Sequence, residues 1–268
     1  MCAYEGCRLN FRGPMVSMTE PYIAVLGGTE VFGRFVKHPF PELIQEWTGL
    51  PVANFGVARA GLSLFSEEPW LLDAGSRSDL TVLQILGAQN MSNRLYSVHS
   101  RRNDRFLSVS PALRDMYPGV DFSQINFTGH LLETLAMDEV AFTSLVKELK
   151  WAWVQRMRRV ISLVRGDVML LWMSDRNPDE GGAARASCEP LFIDREMLDA
   201  LSDEVAGTVE IVTDRNPNKL NEMVIVDGEA DAALCLPGPK DHRRAAEAVA
   251  LEVAKIKGAD PNTFQIRA

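Results

Sequence analysis

The fold is decided by the stretch Tyr22-Ile23-Ala24-Val25-Leu26-Gly27-Gly28-Thr29-Glu30-Val31-Phe32-Gly33, in which a short apolar run enters a glycine-rich turn. Such a run predicts a strand buried on both faces. Similar runs that stop at glycine occupy residues 51–55 and 80–86, and further strands are predicted at 168–173 and 209–212. Helical spacing of apolar residues predicts helices at 41–48, 66–74, 138–165, 196–204 and 241–256. This alternation predicts an α/β fold, with a central parallel five-stranded sheet between two helical layers.

Length and composition predict one large domain. The chain has 268 residues and is 46% hydrophobic, which suffices for a single core. We predict an irregular arm over residues 1–20, one domain over 21–268, and an arginine-rich, lid-like insertion at about 88–130. The net charge of −8 argues against general binding to nucleic acid or anionic membranes.

Other features predict a cytoplasmic protein that acts on a small-molecule substrate. No apolar run is long enough to span a membrane, and the first residues lack the apolar core of a secretory signal. The four cysteines form no Cys-x-x-Cys pair, so we expect reduced thiols and predict neither a metal nor a cofactor; they are Cys2, Cys7, Cys188 and Cys235. A homo-oligomer is left open.

The glycine turn is the first candidate site, because parallel strands bring their carboxyl ends to one edge of the sheet. Thr29 is the only hydroxyl in the turn, and it could either cap the following helix or face a ligand. Gly28 and Gly33 have the spacing of a phosphate-binding loop, but Arg34 and Phe35 stand where lysine and a hydroxyl residue are needed. Transfer of a phosphate or sulfate group at this turn is therefore kept as an alternative.

Four blocks at strand or helix ends carry a family resemblance. They are Gly27–Gly33, Val52–Gly61 (VANFGVARAG), Leu86–Asn90 (LGAQN) and Gly238–His242 (GPKDH). In order and spacing these blocks resemble the SGNH, or GDSL, hydrolase superfamily. The resemblance implies a flavodoxin-like three-layer fold, and ester hydrolysis or acyl transfer by a nucleophile, a histidine base and an oxyanion hole. Parts of the sequence also resemble a bacterial family of unknown function, which implies no activity.

The resemblance assigns roles to individual residues. Thr29 takes the place of the nucleophile, and His242 takes that of the base. The implied oxyanion donors are Gly56, Gln89 and Asn90, and the turn adds Gly28 and Glu30 to the substrate site. Pro239 stands where the family has its aspartate, so the imidazole would be oriented by Asp241, Asp175 or Asp214. Because the serine and that aspartate are both absent, a non-catalytic ligand-binding relative on the same fold is the alternative.

The segment after the third strand is locally basic. Within twelve residues it holds a single acid, Asp104, and five basic or imidazole side chains: Arg94, His99, Arg101, Arg102 and Arg105. Guanidinium forks match carboxylate, phosphate and sulfate groups, so this segment predicts an anionic substrate held by Arg101 and Arg102. The alternative is a solvated loop whose arginines pair with surface acids.

Overall fold

The computed structural model describes residues 1–180 and 189–258 and has a mixed α/β architecture. Its strands are β1 (Cys2–Ala3), β2 (Asn10–Phe11), β3 (Ile23–Gly27), β4 (Val52–Gly56), β5 (Leu80–Gln84), β6 (Tyr96–Val98), β7 (Phe106–Val109), β8 (Val168–Ser174) and β9 (Gly207–Val212). Its α-helices are α1 (Thr29–Phe32), α2 (Phe40–Thr48), α3 (Leu62–Glu67), α4 (Pro69–Arg77), α5 (Pro111–Met116), α6 (Thr128–Leu135), α7 (Glu139–Leu163), α8 (Arg195–Asp199), α9 (Ala230–Leu234) and α10 (Pro239–Lys257).

The central sheet has five parallel strands in the order β4-β3-β5-β8-β9. Successive side chains of a strand point to opposite faces, and each face is covered by helices. Ile23 and Val25 pack with α2 and α10 on one face, whereas Ala24 and Leu26 belong to the core with α4 and α7 on the other. The predicted α/β sandwich with a parallel five-stranded sheet is confirmed.

The helices and strands outside the central sheet differ from the prediction more than the sheet itself does. The helix predicted over 66–74 is divided into α3 and α4, because Pro69 begins a new helix and cannot donate a backbone hydrogen bond to the preceding turn. The 88–130 segment contains the β6–β7 antiparallel pair, α5 and the first turn of α6. Helix α9 lies where the sequence pattern predicts no helix.

The N-terminal arm packs against the domain. Strands β1 and β2 pair with each other, and the ring of Phe11 lies 5.1 Å from that of Phe55. The Arg12 guanidinium donates hydrogen bonds to the carbonyl oxygens of Phe32, at 3.2 Å, and of Val36, at 2.7 Å. This arginine therefore holds the connection between α1 and α2 in place.

The long helix α7 anchors the loop after β5. Its buried Trp153 donates from Nε1 to the carbonyl oxygen of Leu86, at 2.8 Å. In the described ranges, no helix is both long and apolar enough to cross a membrane. Cys2, Cys7 and Cys235 are free thiols, and Cys188 lies outside the described residues.

Packing at the end of β4 leaves no room for a side chain at Gly56. A Cβ atom there would lie 2.2 Å from the backbone nitrogen of Phe32 in α1. We therefore expect Gly56→Ala to lower the free energy of unfolding by about 3 kcal/mol. Gly129→Ala is the matched control, because a Cβ there meets nothing within 4 Å and Gly129 lies in α6. Urea denaturation of both variants tests this, and an equal stability of the two would contradict the packing described here.

Candidate functional site

A cavity of about 230 Å³ lies beyond the carboxyl ends of the sheet strands. Each parallel strand contributes the residues that follow it, which brings distant parts of the chain together. The polar residues of its lining are Thr29, Glu30, Arg59, Gln84, Asn90, Asp104 and Glu189. Of the predicted site residues, Thr29, Glu30 and Asn90 therefore meet in one cavity.

Thr29 is the first residue of α1 and has a fixed hydroxyl position. Its Oγ1 accepts a hydrogen bond from the backbone N–H of Arg59, at 3.0 Å. Arg59 has a left-handed backbone with φ of 62°, which a residue with a side chain rarely adopts. This strained conformation directs its N–H toward Thr29, while its guanidinium lies 3.6 Å from Asp104 Oδ2.

Gln84 connects Glu30 to the glycine turn. Its Nε2 donates to Glu30 Oε2 at 2.8 Å, and its Oε1 accepts from the Gly28 N–H at 2.8 Å. The Gly28 N–H is thus already used inside the protein. Arg34, which would contact a phosphate in the alternative interpretation, instead forms an ion pair with Glu229. These contacts do not favour phosphate or sulfate binding at the turn.

Glu189 is a cavity residue that the sequence analysis missed. Its Oε1 accepts a hydrogen bond from Gln89 Nε2, and its Oε2 accepts from the Leu191 N–H at 3.2 Å. Part of the residue remains exposed, but both carboxylate oxygens are held by protein donors. Desolvation, followed by repulsion from Glu30, raises the pKa of Glu189 to about 7. A carboxyl with this pKa can both accept and donate a proton near neutral pH.

The amides predicted to form an oxyanion hole have different surroundings. The buried Gln89 donates a hydrogen bond from Nε2 to Glu189, and no donor among the described residues reaches its Oε1. Asn90 lines the cavity, and its Oδ1 accepts from Thr128 Oγ1 at 2.6 Å. Gln89 therefore positions Glu189, whereas Asn90 is the amide placed at the cavity.

Gly56 does not take part in the cavity. Its N–H donates to Asn54 Oδ1 at 2.9 Å, and it is not among the lining residues. The predicted oxyanion role of Gly56 is therefore wrong. A glycine is needed at this position because α1 packs closely against it. The residues of this part of the chain that reach the cavity are Arg59 and Ala60.

His242 and Asp241 stabilise helix starts. His242 is only 1% exposed, and its Nδ1 accepts from the Phe40 N–H at 3.1 Å, at the start of α2. Asp241 closes the start of α10, because its Oδ2 accepts from the Gly238 N–H and its Oδ1 from the Asp214 N–H, both at 3.0 Å. Cys235 and Leu236, from the segment before α10, line the cavity instead. The predicted roles of His242 as base and Asp241 as its partner are therefore corrected.

Several side chains of the basic segment are engaged in contacts within the protein. Arg94 pairs with Glu148 at 2.7 Å, and Arg102 lies 3.8 Å from Asp104. His99 Nδ1 accepts from the backbone N–H groups of the two following arginines, Arg101 and Arg102, at 3.2 Å each. Arg101 and Arg105 are exposed, and the cavity lining contains none of the five predicted basic residues. Pairing with acids, the alternative interpretation, describes Arg94 and Arg102 better than substrate binding does.

A second cavity of about 380 Å³ adjoins the first. The two share four lining residues: Glu30, Met173, Glu189 and Cys235. Asp175, which follows β8, lines this second cavity and pairs with Arg215 at 3.1 Å. Asp214 is exposed, and its Oδ1 accepts from the Asn216 N–H at 2.8 Å. Asp175 and Asp214 thus lie at the predicted edge of the sheet, although neither is hydrogen-bonded to His242.

Comparison with known proteins assigns a family. Residues 1–257 match the model of a family described as a domain of unknown function, DUF6473. The chain belongs to this family. A search of the curated proteins finds no match. The DUF6473 chain is also similar to the solved structure titled "Crystal Structure of the Lipase Lip_vut3 from Goat Rumen metagenome", at 12% sequence identity and a TM-score of 0.39, over 90% of this chain and 100% of the other. A similarity this low carries no argument about activity.

The buried His242 makes the stability of the DUF6473 domain depend on pH. Burial, and then the charge of Arg12, lower the pKa of His242 to about 3 from an ordinary value of 6.5. Below pH 6.5 the unfolded chain binds a proton that the folded chain rejects, so stability is lost as the pH falls toward 3. Between pH 7 and 5 we expect this histidine to account for a loss of about 2 kcal/mol.

Denaturant titrations at several pH values test this contribution. His242→Gln keeps a hydrogen-bond acceptor for Phe40 but does not titrate, so its unfolding free energy should fall less steeply than that of the wild type. His38→Gln is the control, because it removes an exposed imidazole instead. If the wild type and His242→Gln have the same pH dependence, His242 does not have the environment described.

Proposed function

We propose that this protein hydrolyses or transfers an acyl ester in an SGNH-like arrangement, with Thr29 as nucleophile and Glu189, rather than His242, as base. The observation that carries the proposal is one cavity whose lining includes a hydroxyl, three carboxylates and two side-chain amides. We retain the interpretation of residues 21–268 as one SGNH-like domain, and of 88–130 as an insertion near its site.

The proposed chemistry divides into two acyl-transfer steps. Ionised Glu189 takes the proton of Thr29 Oγ1 while that oxygen attacks the ester carbonyl, and the protonated carboxyl then gives the proton to the leaving alkoxide. An acyl-threonine remains. Water or an acceptor alcohol, deprotonated by Glu189, then releases the acyl group and restores Thr29.

The surrounding residues support this chemistry through position and charge. The hydrogen bond from Arg59 fixes Thr29 Oγ1, which also limits the rotamers of a β-branched side chain. Asn90 is the candidate donor to the developing oxyanion, a contribution worth about 3 kcal/mol in known cases. Repulsion from Glu30 helps to raise the pKa of the base, Glu189.

A non-catalytic ligand-binding function is the second candidate. Cys235 and Leu236 line the cavity where the family resemblance implies the imidazole of His242, and this absence of the imidazole from the lining supports a binding function. Without that imidazole, the cavity can bind a polar ligand through Thr29, Asn90 and the carboxylates. Turnover therefore separates the two candidate functions.

The nucleophile and base can be tested with short-chain 4-nitrophenyl esters. Thr29→Ala should abolish turnover, and Thr29→Ser should retain or raise it because serine lacks the crowding methyl group. Glu189→Gln should lower kcat/KM by at least about 100-fold, the usual scale of general-base catalysis. Asp214→Asn, an exposed carboxylate outside the lining of the first cavity, is the control. Turnover that survives Thr29→Ala would rule out this mechanism, and a wild type that binds ligands without turnover would favour the binding function.

The pH profile tests the coupling between the two carboxylates. Because Glu189 must be ionised to accept a proton, kcat/KM should rise with pH and reach half its maximum at about pH 7. In Glu30→Gln the repulsion is removed, so the midpoint should move to lower pH. Profiles measured with a substrate that does not itself titrate provide the comparison, and an unchanged midpoint in Glu30→Gln would show that the two groups are not coupled.

A further inference from the structure

The second cavity extends the proposed active site and contains cationic groups. Beyond the residues it shares with the first cavity, its polar lining includes Ser174, Asp175, Thr213, Arg215 and Lys219. The two carboxylates Glu30 and Glu189 lie where the cavities join, because both residues line both of them. A ligand that occupies both cavities therefore passes these carboxylates.

Lys219 is held in place without a carboxylate partner. Its Nζ donates to the carbonyl oxygen of Asp214 at 3.0 Å, and within the described part of the chain no acidic oxygen lies within ion-pair distance of it. The residue is half-buried, and its stem packs on Gly238, where a Cβ would lie 3.1 Å from that of Lys219. By contrast, Arg215 in the same cavity is paired with Asp175. Because no carboxylate among the described residues pairs with Lys219, an anion can approach its ammonium without breaking an ion pair.

We propose that the second cavity is an anion subsite, in which Lys219 holds a carboxylate or phosphate group at the far end of the substrate. The proposal rests on the proposed function, since it assigns the substrate class of the same site: an ester whose acyl part ends in an oxyanion. Charge favours this orientation, because the second cavity is lined by two cationic side chains, Arg215 and Lys219, and the first by one, Arg59.

Binding can be measured without turnover, because Cys235 is an exposed thiol that lines both cavities. Alkylation of Cys235 by iodoacetamide, followed by peptide mass spectrometry, reports occupancy. The probes are ω-hydroxy acids of four to eight carbons and the diols of the same lengths, which differ only in the carboxylate. For the best chain length, we expect the hydroxy acid to protect Cys235 at a concentration at least about tenfold lower than the diol.

Charge variants assign this preference to Lys219. Lys219→Met should remove the difference between hydroxy acid and diol, and Lys219→Arg should retain it. Lys240→Met removes the same charge from an exposed lysine that pairs with Glu222 outside both cavities, so it should behave as the wild type. Thermal unfolding of each variant checks that the fold is intact.

Turnover supplies an independent comparison. Mono-4-nitrophenyl adipate and 4-nitrophenyl hexanoate have acyl chains of equal length, and only the first ends in a carboxylate. Lys219→Met should raise KM for the adipate ester at least about tenfold, with kcat and the hexanoate constants unchanged. Equal protection by hydroxy acid and diol, or a preference that survives Lys219→Met, would overturn the subsite. Protection without any ester turnover would instead retain the subsite and refute the proposed function.

Discussion

The position of the site depends on the packing of one short helix against the sheet. Helix α1 begins directly after β3, and its backbone at Phe32 lies so close to Gly56 at the end of β4 that no side chain fits between them. This contact holds Thr29 and Glu30 over the carboxyl edge of the sheet. Gln84, at the end of β5, then reaches across to Gly28 and Glu30. Three neighbouring strands are thereby tied together where the cavity begins.

The charges in the cavity determine the pKa of its carboxyl groups. Two carboxylates near each other in a partly desolvated site cannot both ionise freely, so one of them retains its proton to higher pH. Gln89 holds one Glu189 oxygen and the Leu191 N–H holds the other. These two hydrogen bonds lower the pKa of Glu189, but desolvation and repulsion from Glu30 outweigh them and raise it to about 7. In the proposed mechanism, Glu189 takes the place of a histidine base. The buried His242 serves as an acceptor for the start of α2, a role that only its neutral form can perform.

The sheet could be predicted from the sequence because β3, β4, β5 and β8 are short, largely apolar runs, and the edge strand β9 alternates between apolar and other residues. Parallel connectivity brings the strand ends to one edge, and Thr29, Glu30 and Asn90 lie together there in the lining of one cavity. The short β6–β7 pair in the 88–130 segment lacked such a signal, because strands of three and four residues depend on tertiary contacts. Glu189 could not be found, since nothing in the sequence indicates that one glutamate of a polar connection turns toward the sheet edge.

The helix that carries His242 was predicted, but the position of its imidazole was not. The sequence places an imidazole close to the start of a helix, and such a residue can point either toward the preceding loop or into the core beneath the helix. His242 is the fourth residue of α10 and lies on the side of this helix that packs against α2. It is therefore buried beside Phe40. The loop before the helix reaches the cavity, and it supplies Cys235 and Leu236. In the proposed mechanism the base therefore comes from another part of the chain, and Glu189 is a lining residue whose surroundings raise its pKa to about 7.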